Sequence, residues 1–155
     1  MPIPEFVVEI RKMIGHHEMW LPGITAVVCR GEEVLLVRRS DNGEWTPITG
    51  IPDPGEEPAP AVAREALEET GVVVSVDRLA STSVHPGIVH ANGDRASYLD
   101  LTFACTYVSG EAHVADDESV DVQWFPVDAL PEMAPPMLQR IADALSGEQA
   151  ARFLR

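Results

Sequence analysis

The 155-residue chain contains a single lysine, Lys12, and ten arginines against 25 acidic residues, for a formal charge of −14. So negative a field repels nucleic-acid backbones, and too few cations are present to displace the counterions of a polyanion. A nucleic-acid polymer is therefore not an expected partner. A small anionic ligand remains compatible if a bound cation or a local arginine offsets its charge. Cysteine is also scarce. Cys29 and Cys105 both fall inside apolar runs and read as buried free thiols rather than a disulfide framework. No run of 18 apolar residues occurs, which removes a helical membrane span. The opening MPIPEFVVEI lacks the basic region and apolar stretch of a signal peptide. A cytoplasmic protein without membrane attachment is the expectation. Apolar residues at 45% and charged residues at 23% suit one globular domain spanning residues 1–155.

The pattern along the chain is mixed. Ile3, Phe6, Val7, Ile10 and Ile14 recur at helical spacing up to Gly15. After a turn expected at Pro22-Gly23, ITAVVCR and EVLLVRR flank Gly31-Glu32 as a hairpin. Residues 40–60 are rich in Gly, Pro, Asp and Glu and read as loop with short extended pieces. A helix over about 60–70 is closed by Gly71. VVVSV, LASTSV, SYLDLTFACTYV and SVDVQWF read as strands, with a tight turn at Asn92-Gly93-Asp94. Met137, Leu138, Ile141 and Leu145 mark a final helix. Helices and strands without strict alternation give an α+β or mixed-sheet α/β class.

Chemistry concentrates in residues 50–72, GIPDPGEEPAPAVAREALEETGV. Glu65, Glu68 and Glu69 stand at i, i+3 and i+4, so helical geometry puts their carboxylates side by side. Their mutual repulsion is offset in part by Arg64, four residues before Glu68. Pro58 and Pro60 suit the helix entrance, and Glu56 in the preceding loop can return to the patch. Ala61, Val62, Ala66 and Leu67 would pack against a sheet. An acidic helix face is often merely solvated, but crowded carboxylates also attract hard cations such as Mg²⁺.

This stretch resembles the Nudix box, G-x5-E-x7-R-E-U-x-E-E-x-G-U, with U an apolar residue. Gly50, Glu56, Arg64, Glu65, Glu68, Glu69 and Gly71 occupy every fixed position, and Ala66 and Val72 the apolar ones. The resemblance implies an α/β/α sandwich with a mixed central sheet and a Mg²⁺- or Mn²⁺-dependent hydrolase cleaving a phosphoanhydride bond. On that analogy Glu68 and Glu69 are metal ligands, and Glu65 is a ligand or general base. Arg64 and Glu56 support and orient the cluster. The family commonly shows W-x-L-P-G-G before the box, where this chain has WTPITG from Trp45 to Gly50, so the main-chain carbonyl of Thr49 takes the place of a glycine ligand. Arg39 resembles a phosphate-contacting arginine. Pro86 falls one residue short of a proline typical of members acting on ADP-ribose. The general base is expected outside the box, in ADDES, with Glu118 preferred over Asp116 and Asp117. Trp45, Gly50, Glu56, Arg39 and Pro86 thus form the expected substrate-binding set.

The expected substrate is a nucleoside diphosphate linked to another group, with a lean to ADP-ribose or a nucleotide sugar. Alternatives are a nucleoside triphosphate pyrophosphohydrolase and a non-catalytic nucleotide sensor, though a sensor commonly loses box glutamates that are all present here. Members of the family often dimerise, so a homodimer is compatible. Adjacent His16 and His17 lack a third partner at metal-ligand spacing, and His85 and His90 read as surface histidines.

Overall fold

A computed structural model describes residues 3–155. Ten elements follow in order: α1 (Glu5–Ile14), β1 (Met19–Arg30), β2 (Glu33–Arg39), β3 (Trp45–Thr46), β4 (Ile48–Gly50), α2 (Pro58–Thr70), β5 (Val73–Val89), β6 (Arg95–Ser109), β7 (Ser119–Pro126) and α3 (Pro135–Leu145). The seven strands form one mixed sheet in the order β3-β2-β1-β6-β5, with β4 paired to β1 and β7 to β2. Strands β1 and β6 run parallel, and the other pairs are antiparallel.

The continuous apolar run Val34-Leu35-Leu36-Val37 shows why the sheet carries helices on both faces. Alternate side chains of a strand point to opposite faces, so a fully apolar run needs cover twice. Leu35 and Val37 join Ile24, Ala26, Val28, Phe103 and the α2 residues Ala61, Val62 and Ala66. Val34 and Leu36 join Val27, Met133 and Ile141 on the α3 side. A smaller cluster of Val7, Met19, Leu21 and Ala96 seats α1 at one end of the sheet. The architecture is the expected α/β/α sandwich with a mixed sheet.

Three local expectations differ from the structure. Pro22-Gly23 is no turn: both residues lie inside β1, opposite Leu99 and Asp100 of β6. Among the described residues β1 has no partner on its other side until Ile24 meets β4, so the N–H that Pro22 lacks is not required there. VVVSV and LASTSV fuse into the single 17-residue edge strand β5, whose register shifts at four places against β6. Such bulges let a long edge strand bend without ending. Leu67, expected to pack on the sheet, is 50% exposed, and the buried side of α2 is shared instead by alanines, Val62 and two glutamates.

Candidate active site

The site is built on α2 and the loop that leads into it. Pro58 opens the helix, where a missing N–H costs nothing, and Gly71 ends it in a left-handed conformation at φ 71°. Before the helix, the main-chain N–H of Asp53 donates to Glu56 Oε2 at 2.9 Å, and Glu56 N–H returns to Asp53 O at 2.9 Å. Arg64 then clamps this turn to the helix. Its Nε and Nη2 donate to the two Glu56 oxygens at 2.9 and 2.8 Å, while Nη1 reaches Glu65 Oε1 at 3.0 Å and Glu68 Oε2 at 3.2 Å. The guanidinium thus serves three carboxylates, and its hydrogen bonds hold Glu56 below the usual carboxylate range.

Glu65 and Glu69 are the unusual pair. Glu65 is fully buried and Glu69 is 3% exposed. Glu65 Oε2 meets no hydrogen-bond partner among the described residues. Burial raises the Glu65 carboxyl to about 7 although Arg64 pulls it down. Glu69 is raised to about 8, first by burial and then by the charges of Glu65 and Asp116, with Arg39 opposing. Arg64 is shared among three carboxylates, so among the described residues this low-dielectric pair carries more negative charge than its own cation offsets. Glu68 lies on the outer flank, 49% exposed, engaged by Arg64.

Gly50, at the end of β4, is the floor beneath Glu65. A Cβ there would stand 2.5 Å from Glu65 Cδ and 2.6 Å from its Cγ and Oε1, so only glycine lets the carboxylate lie against this strand. Thr49 takes the glycine's place in the expected motif without strain, since no non-glycine residue among those described has positive φ. Its hydroxyl faces Arg39, whose Nη1 lies 3.4 Å from Thr49 Oγ1. Arg39 is held by Asp41 through two further bonds, 2.9 and 2.7 Å.

The loop carrying Asp116, Asp117 and Glu118 passes over the C-terminal end of α2, where Ala115 N–H donates to Glu69 O at 3.1 Å and His113 N–H to Thr70 O at 3.0 Å. Its far end is tied to the end of β2: Ser40 donates to Glu118 O from both its N–H and its hydroxyl, each at 2.8 Å. The loop therefore borders both Glu69 and the Arg39 segment. Within it, the charge of Asp116 reaches Glu69, and Asp116 Oδ1 accepts the Glu118 N–H at 3.0 Å.

Other expected residues lie elsewhere. Trp45 packs edge-on against Phe125, centroids 4.9 Å apart, in the α3-side core. Pro86 is exposed on edge strand β5, in the bulge between His85 and Ile88. His16 binds Asp94 at 2.8 Å, and His90 binds the Tyr98 hydroxyl at 3.0 Å. Asp41 was not anticipated, although its place two residues after Arg39 was a usable signal.

Among the described residues no three Asp, Glu, His or Cys side chains stand together at metal-binding spacing. The donor set nevertheless suits Mg²⁺ or Mn²⁺. Mg²⁺ binds through one or two carboxylates and fills its remaining positions with water and substrate phosphate. Buried Glu65 and Glu69 would supply that pair, Glu65 Oε2 having no hydrogen-bond partner among the described residues, and Glu68 lies on the same helix within reach of Arg64.

The chain is similar to known proteins in sequence and in fold. The family model described as NUDIX domain matches residues 19–145. The MutT-like protein of Streptomyces ambofaciens is 36% identical over 132 residues, covering 84% of this chain and 79% of that protein. The NAD-capped RNA hydrolase NudC of Pseudomonas aeruginosa is 36% identical over 115 residues, 72% of this chain but only 38% of the relative. The chain spans less than half the length of such NudC relatives. A NUDIX hydrolase structure from Nitrosomonas europaea superposes with a TM-score of 0.71 at 26% identity, covering 86% of this chain and 93% of the other.

Proposed function

Because the chain belongs to the Nudix family, we propose that it hydrolyses a phosphoanhydride bond in a small nucleoside diphosphate derivative, using Mg²⁺ or Mn²⁺. The observation that carries this reading is the buried Glu65–Glu69 pair, short of positive charge beside a phosphate-suited arginine. A divalent ion held there would neutralise the diphosphate and acidify a bound water. The protein's own residues supply the rest. Glu65, Glu69 and Glu68 would hold the cation, together with the main-chain carbonyl of Thr49. Arg64 and Glu56 fix the turn and helix so that these ligands are ordered before substrate arrives. Arg39, aimed by Asp41, binds a phosphate oxygen. Glu118 accepts the proton of the attacking water, with Asp116 as the neighbouring candidate.

A dinucleotide or nucleotide sugar, in which a diphosphate joins two organic groups, is the preferred substrate class. The relatives named NAD-capped RNA hydrolases support a diphosphate bridge of this kind. An RNA chain beyond the diphosphate is disfavoured by a charge of −14 with a single lysine. The intact box speaks against a sensor that binds without turnover.

Incubation with Mg²⁺ and ADP-ribose, NAD, nucleotide sugars, deoxynucleoside triphosphates and a short NAD-capped RNA, with product identification, tests the proposal. Mononucleotide release from a dinucleotide or nucleotide sugar, abolished in Glu68→Gln, is the expected result. Pyrophosphate released only from triphosphates would transfer the protein to nucleotide-pool clearance. Tight binding without turnover of any compound would contradict hydrolysis altogether.

A further inference from the structure

Beside the box lies a cavity of about 470 Å³ between α1 and the loop before α2, with Ile3, Glu5, Val8, Asp53, Arg64 and Glu68 among its lining residues. Two box residues, Arg64 and Glu68, line it, so it adjoins the helix that carries the proposed diphosphate site. Its other side is apolar: Ile3 and Val8 of the α1 segment are 52% and 41% exposed, large apolar side chains left open toward it. The α1 wall is held firmly from behind. Arg11 Nη2 donates to Arg95 O at 2.7 Å, and Nη1 to Gly15 O at 3.1 Å. His16 Nδ1 lies 2.8 Å from Asp94 Oδ1, which ties the end of the helix to the turn before β6.

The cavity's charge decides which part of a substrate enters. Glu5, Asp53 and Glu68 face one cation, Arg64, whose donors are already directed to three carboxylates. A phosphate would be repelled from it, whereas a flat, uncharged group with N–H donors would find apolar walls and carboxylate acceptors.

We infer that the cavity between α1 and the box seats the amino-bearing heteroaromatic base, adenine or a base like it, of the nucleotide whose diphosphate lies on the box. This rests on the hydrolytic reading for the diphosphate's position, and makes α1 the element that selects the organic half of the substrate. Val8, central to the α1 wall, is the residue whose size sets the fit.

Titration calorimetry with adenosine 5′-monophosphate and ribose 5-phosphate in Mg²⁺ tests it, since the two differ only in the base. The wild type is expected to bind the nucleotide about tenfold more tightly or better. Val8→Trp, which projects an indole into the cavity and obstructs it, is expected to erase that difference while leaving ribose 5-phosphate unchanged. Val8→Ala, which cannot clash, should weaken nucleotide binding about threefold. Val108→Trp, exposed on β6, should behave as wild type. Equal affinity for the two ligands in the wild type, or undiminished nucleotide affinity in Val8→Trp, would overturn the inference. Turnover of the substrate panel is followed separately: absence of turnover of every compound contradicts the hydrolytic reading, while the titration still decides the base site.

Discussion

Gly50 and Glu65 occupy one another's space: a methyl group on the glycine would lie 2.5 Å from the carboxylate carbon of the glutamate. The glycine that opens the box and the glutamate 15 residues later are thus a packed pair, and the strand fixes where the buried carboxylate can lie.

Gly50→Ala should accordingly push Glu65 away from β4. Overpacking a full site typically costs about 1–3 kcal/mol, so a lowered melting temperature is expected together with weaker Mn²⁺ binding. Calorimetry of both quantities checks this; an alanine variant with native stability and native metal affinity would refute the packing relationship.

The pH dependence of the metal-free protein follows from the raised carboxyls. Glu65 and Glu69 titrate at about 7 and 8 in the folded chain against an ordinary 4.5. Between those values the folded state holds more protons than the unfolded one, so their effect is to lower stability as pH rises from about 5 to 8. In chelator, melting temperature should fall across that window. Excess Mg²⁺ should raise it most at the alkaline end, because the cation binds the deprotonated pair. Scanning calorimetry at pH 5.5 and 8.5 decides the matter: no greater Mg²⁺ gain at pH 8.5 would contradict it.

Glu56→Gln should loosen the clamp without altering the proposed metal ligands. The amide cannot offer Arg64 two anionic acceptors, and the turn at Asp53 loses its charged partner. A fall in kcat on the order of tenfold or more, with a similar loss of Mg²⁺ affinity, is expected, as for residues that orient metal ligands. Steady-state kinetics across a Mg²⁺ titration would show it.

Asp41→Ala frees Arg39 from both of its side-chain bonds to Asp41. Because Arg39 is proposed to bind ground-state and transition-state phosphate alike, KM should rise several-fold with kcat little changed. A loss confined to kcat would instead place Asp41 or Arg39 at the reacting atoms.

Much of this arrangement was legible in the amino-acid order. The run Val34–Val37 announces a strand covered on both faces, and the box spacing announces α2, its glycine terminator and the Arg64–Glu68 approach. Burial was not legible. Helical spacing puts Glu65, Glu68 and Glu69 together, yet only the packing of Ala61, Val62 and Ala66 on the sheet shows that two go under and one stays out. Asp41 and the α1 cavity were missed because both depend on tertiary placement: one on the bend at the end of β2, the other on where α1 docks. Pro22 misled for a similar reason, since its tolerance depends on which side of β1 lacks a partner.

The proposed hydrolysis depends on a divalent cation that Glu65 and Glu69 would hold between them. A crystal grown in Mn²⁺, measured for anomalous scattering, tests this most directly. A peak within coordination distance of both carboxylates, including Glu65 Oε2, is the predicted result. Anomalous peaks found only elsewhere, with the two side chains unmoved and no ion between them, would contradict it.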